Sequence, residues 1–118
     1  MTTGSTANLA YALSIAKRED DVISAVGKLT LLLLADDCTG GLGLIPLARL
    51  AARIGGGITA EQAYSIAEEL AEAGFLNISD MKERQFACAL PIATWEEVED
   101  ARNHIAPDWR LKKGPGTA

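Results

Sequence analysis

Between Ala7 and Lys17 the apolar positions Leu9, Leu13 and Ala16 recur at helical spacing, with Ala10 and Ala12 beside them. Thr6 or Asn8 is a candidate cap, and Lys17-Arg18 near the end suits the helix dipole. The carboxylates Asp20-Asp21 predict the start of a second helix, which runs through Val22, Ile23, Val26, Leu29, Leu31, Leu32, Leu33 and Leu34 to about Asp37. Its last turns are apolar around most of the circumference, as in a central helix buried on several sides. Thr39-Gly40-Gly41-Leu42-Gly43 then reads as a loop.

The helical pattern resumes at Pro46, which is placed as the first residue of a third helix carrying Leu47, Leu50, Ala51 and Ile54 on one face. Gly55-Gly56-Gly57 stops it. Thr59 with Gln62 three positions on forms a capping-box pattern for another helix, whose apolar face is Ala63, Ile66, Ala67 and Leu70 and which ends at Gly74. Phe75 to Ile78 and Gln85 to Leu90 read as the two strands of a hairpin around a polar turn, with Pro91 as its limit. Thr94 and Glu97 form a second capping box, opening a helix with Trp95, Val98, Ala101, Arg102 and Ile105 along one side, closed by Pro107. The expected class is mainly α with a small β-hairpin. The chain divides into an N-terminal tail and helix (1–20), a central domain (21–92), and a C-terminal helix with a flexible tail (93–118).

Leu50-Ala51, Ile54-Gly55, Thr59, the stripe Ala63, Ile66, Ala67 and Leu70, and the join Ala73-Gly74-Phe75-Leu76 together resemble the winged helix-turn-helix superfamily. No single family within it is indicated, and the three-glycine run departs from the pattern by lengthening the turn between the two motif helices. The resemblance implies a winged helix-turn-helix core with flanking N- and C-terminal helices. It also implies that the helix after Thr59 enters the major groove of double-stranded DNA while the wing touches the backbone. Carried onto this chain, the groove-facing positions are Ala60, Glu61, Gln62, Tyr64, Ser65 and Glu68, with Thr59 at the helix start counted among the DNA-binding residues. Gln62 suits adenine, Ser65 a base or phosphate, and the Tyr64 hydroxyl a phosphate. Lys82 and Arg84 fall at the wing tip, and Arg49 and Arg53 on the preceding helix are placed to clamp the backbone. Helices flanking such a core imply a homodimer, with the Ala7–Lys17 and Thr94–Ile105 helices as its surface and Trp95, Trp109 and Leu111 as anchors.

Charge complicates the DNA reading. Glu61, Glu68, Glu69 and Glu72 lie on the presumptive reading helix with no cation among them, whereas phosphate neutralisation by Lys and Arg supplies most non-specific affinity. The whole chain carries a formal charge of −5, so DNA contact requires a local basic patch. The alternative function is a protein-interaction module that docks a partner through this acidic helix. The chain is 118 residues long, enough for one domain with its own core.

Two cysteines, Cys38 and Cys88, and the single His104 are too few for a structural zinc site, so neither metal nor cofactor is expected. The cysteines read as partly buried free thiols in a reducing cytoplasm. Asp36-Asp37 beside Cys38 read as surface carboxylates next to a packed thiol. No basic segment precedes an apolar one near Met1, and the longest apolar run, Leu31 to Ala35, is far short of the about 20 residues of a membrane span. A cytoplasmic protein without membrane contact is expected. With no phosphate loop, dinucleotide fingerprint or nucleophile elbow, an enzyme is not expected.

Overall fold

The computed structural model describes residues 5–18, 23–38 and 42–91, with single positions 96, 100 and 103. Within these the protein is mainly helical, with a small antiparallel sheet. Its elements are α1 (Ser5–Ala16), α2 (Ala25–Asp37), β1 (Leu42–Pro46), α3 (Leu47–Ile54), α4 (Ala60–Glu72), β2 (Asn77–Ile78) and β3 (Gln85–Ala89). The expected helix from Thr94 to Ile105 and the basic tail lie outside the described residues, apart from the three single positions. No helix among the described residues is long and apolar enough to cross a membrane.

α2 is the central helix, and it starts later than Asp20-Asp21 would suggest. Ser24 is its cap, accepting a hydrogen bond on its hydroxyl from Gly27 N at 3.0 Å. Gly27, Thr30, Leu31, Leu34 and Ala35 are buried, a helical stripe in which the one hydroxyl, Thr30, donates to Val26 O at 2.8 Å. Gly27 makes room for Ile23: a Cβ there would lie 2.5 Å from Ile23 Cγ2, whereas Leu70 of α4 would stand at an ordinary contact distance of 3.8 Å.

Three expectations need correction. The segment read as a loop ends in a strand, because Leu42 to Pro46 pair with β3 in the register Leu42↔Ala89 to Pro46↔Gln85. The expected two-stranded hairpin is therefore part of a three-stranded sheet of order β1-β3-β2. Pro46 is the last residue of β1 rather than the first of a helix, and its missing N–H is tolerated at that strand end. The first N–H of α3, on Leu47, then donates to Arg84 O at 3.0 Å, which ties the helix start to the turn between β2 and β3.

α4 begins as its sequence indicates. Thr59 Oγ1 accepts from Gln62 N at 3.1 Å while Thr59 N donates to Gln62 Oε1 at 2.9 Å, completing the capping box. It ends in a left-handed exit at Gly74 (φ 94°), with Phe75 N donating to Leu70 O and Gly74 N to Ala71 O. The core lies between the helices and one face of the sheet. Leu31, Leu34, Ile45, Leu47, Leu50, Leu76, Ile78 and Phe86 are fully or almost fully buried there. α1 packs along α2 and is tied to the rest by two hydrogen bonds, Asn8 Nδ2 to Cys38 O (2.9 Å) and the Tyr11 hydroxyl to Phe75 O (2.7 Å).

Candidate nucleic-acid interface

α3 and α4 are joined by Gly55, Gly56 and Gly57, which all have φ between 69° and 78°. Three successive positive φ values are what only glycine adopts without strain, so the run is a conformational requirement of this turn. The other turn beside α4 is the tip of the β2–β3 hairpin, expected from the sequence as the wing tip. Lys82 and Gln85 exchange backbone hydrogen bonds of 2.9 and 3.1 Å across a two-residue loop, Glu83-Arg84. Both loop residues have positive φ, 55° and 60°, the geometry of a type I′ hairpin turn.

The structure brings part of the expected site together. Gln62 and Ser65 are exposed on the first two turns of α4. Arg84 Nη1 lies 3.9 Å from Glu61 Oε1, so the wing tip stands beside the N-terminal turn of α4. Glu61, Gln62, Ser65 and Arg84 form one solvent-facing surface with Lys82 at its margin. Thr59 and Gln62 are each committed by one side-chain oxygen to the capping box, where Thr59 Oγ1 and Gln62 Oε1 are acceptors. The amide nitrogen of Gln62 is the end left to address a ligand.

Three expected residues have other work. The Tyr64 hydroxyl donates to Ser79 O at 2.8 Å, and the ring meets Phe86 edge-on with centroids 5.3 Å apart. Tyr64 therefore fastens the β2–β3 hairpin to α4 and its hydroxyl is turned inward, away from the position expected for a phosphate. Arg49 and Arg53 are bound to the end of α2. Asp37 Oδ1 accepts from Arg49 Nη2 at 3.1 Å and from Arg53 Nη1 at 3.0 Å, and Asp36 Oδ2 accepts from Arg53 Nη2 at 2.8 Å. The hydrogen bond to Asp36 pushes the Arg53 pKa up, desolvation opposes it, and the charge and hydrogen bond of Asp37 add to the rise. The Asp37 side chain is only 12% exposed, so it is an inner anchor for both guanidinium groups and not the surface carboxylate its sequence position implies.

Sequence reasoning missed this pairing. The spacing of Arg49 and Arg53 marks one helix face, but the carboxylates that meet it belong to another helix. No local pattern connects them.

The remaining charge on α4 is negative. Glu61, Glu69 and Glu72 are exposed, and the helix carries no Lys or Arg. Next to the turn, Gly56, Gly57, Ile58, Gln62, Ser65 and Ile66 line an open concavity of about 550 Å³, which shares Gln62 and Ser65 with the solvent-facing surface. No group of three or more metal-binding side chains occurs among the described residues. No protein-family model matches the chain, and neither a curated protein nor a solved structure matches it.

Proposed function

We propose that the protein is a winged helix-turn-helix DNA-binding regulator of the cytoplasm, with α4 as reading helix and the Lys82–Gln85 turn as wing. The order helix, strand, helix, helix, strand, strand and the sheet order β1-β3-β2 support this reading, as does the turn between α3 and α4. The single observation that carries it is the 3.9 Å approach of Arg84 to Glu61. It makes one surface of the α4 N-terminus and the wing tip, so a duplex seated on Gln62 and Ser65 meets Arg84 and Lys82 at its backbone. On binding, Arg84 exchanges the Glu61 carboxylate for a phosphate. A homodimer completes the proposal, built on α1 and the C-terminal segment. Leu13, Val26 and Leu29 are exposed apolar side chains on α1 and α2 that a second copy would cover.

The test is fluorescence anisotropy with a mixed-sequence duplex at low and moderate salt. The wild-type chain should bind with an affinity that falls as salt rises. Lys82→Ala with Arg84→Ala should weaken binding and lower the slope of log affinity against log salt by about 1 for each phosphate that is no longer neutralised. Absence of binding at low salt overturns the proposal.

One observation favours a second reading, a module that docks a basic protein segment: α4 has four glutamates, and the arginines of α3 are neutralised by α2. Glu61→Gln separates the two. It removes the carboxylate that competes for Arg84, so it tightens a DNA complex and weakens a complex with an oligolysine probe.

A further inference from the structure

Cys38 and Cys88 are both buried free thiols, and neither side chain has a part in the DNA reading. Cys38 caps the C-terminus of α2 and Cys88 is the fourth residue of β3. Gly43 sits opposite Cys88 in the β1–β3 pair, and cross-strand partners project to the same face of a sheet. A Cβ built on Gly43 would stand 3.0 Å from Cys38 Cα and 2.7 Å from Asp37 O. The end of α2 therefore rests on the sheet at the one position with no side chain, directly over the face to which Cys88 points. The Cys38 thiol lies against Cys88, donating to its backbone carbonyl at 3.5 Å. That contact, with burial, pushes the Cys38 pKa well up.

We propose that Cys38 and Cys88 are a disulfide-forming pair, which closes on two-electron oxidation by a low-molecular-weight disulfide and latches the end of α2 to β3. In the first step, one cysteine thiolate attacks the small disulfide, forms a mixed disulfide and releases one thiolate. In the second, the other cysteine attacks the protein-borne sulfur, the Cys38–Cys88 bond forms and a second small thiol leaves. Two protein thiols are oxidised and one small disulfide is reduced to two thiols, the two protons of the protein thiols being taken up, through solvent, by the two released thiolates. Burial and protonation make closure slow, since a thiolate forms only when the contact between the end of α2 and the sheet loosens. The same burial makes the closed bond slow to reduce, so the pair is a latch and not a rapid sensor. It lies next to Asp37, so closing it also fixes the carboxylate that holds Arg49 and Arg53.

The experiment incubates the full chain in glutathione buffers of increasing disulfide content. Samples are acid-quenched, unfolded and alkylated, then analysed by intact mass and peptide mapping. The expected result is joint loss of both alkylatable thiols, a linked peptide pair containing Cys38 and Cys88, and no retained glutathione. The oxidised chain should show a higher urea midpoint that dithiothreitol reverses, and neither Cys38→Ala nor Cys88→Ala should show that rise. If an alanine variant fails to fold, the dithiothreitol reversal on the wild-type chain carries the comparison. Glutathione adducts, intermolecular dimers or a lowered midpoint overturn the proposal. So does retention of both thiols in the folded chain under conditions that oxidise it in urea.

Discussion

α4 is held between two tight turns that solve the same backbone problem in opposite ways. The turn before it needs three positive φ values and uses glycine at each one. The wing tip after it needs two positive φ values and uses Glu83 and Arg84. Glycine enters the left-handed region freely, whereas an L-residue with a long side chain is destabilised there by roughly 1–2 kcal/mol. The first turn is therefore relaxed and carries no side chain. The second is strained and carries two charges. Strain kept at a solvent-exposed position points to a use for the side chains, and Arg84 is the residue that the proposed interface needs.

The relaxed turn gives the largest effect when broken. Gly55 has φ 78° and ψ −162°, a region open to glycine alone, and a Cβ there would meet no atom within 4 Å. Gly55→Ala therefore tests backbone conformation without steric clash. It should lower stability by about 1–3 kcal/mol in urea unfolding, with the slope of the transition unchanged. An unchanged midpoint would show that this turn has another backbone solution, and the contrast with the wing would fail.

The strained turn should respond in the opposite direction. Replacing Glu83 with Asn and Arg84 with Gly installs the pair that a type I′ turn prefers. The double variant should gain about 1–2 kcal/mol in urea unfolding and lose affinity for duplex DNA, because the wing-tip cation is gone. Opposite movement of stability and binding is the signature of strain retained for function. A gain in stability with unchanged binding would leave Arg84 without the role proposed for it.

The same contrast explains how much was legible in the chain. The start and end of α4 were, since Thr59, Gln62 and Gly74 act through hydrogen bonds and φ values within a few residues of themselves. The strand β1 was not. Gly43 lowers strand propensity, and its reason for being glycine, the backbone of α2 lying against it, is supplied by a distant segment. The candidate site divides in the same way. The exposure of Gln62 and Ser65 follows from the apolar face of α4. The capture of Arg49 and Arg53 by Asp36 and Asp37, and the inward turn of Tyr64, are decided by packing between elements.

A smaller effect concerns the root of the wing. Phe75 follows the left-handed exit at Gly74, and its carbonyl is held by the Tyr11 hydroxyl at 2.7 Å. Burial pushes the Tyr11 pKa up from 10.0 to about 12. A folded-state pKa above the unfolded value means that the folded protein keeps its proton over a range where the unfolded chain has given its proton up. The contribution of Tyr11 is therefore complete below pH 10.0 and declines as the pH rises towards about 12. Tyr11→Phe should lower stability by about 1 kcal/mol at neutral pH through loss of the hydrogen bond. It should also remove part of the alkaline decline, so the two urea-midpoint curves converge with rising pH. Parallel curves would show that the hydroxyl is not held in the folded chain, leaving the root of the wing fastened by Gly74 and the Tyr64–Ser79 hydrogen bond.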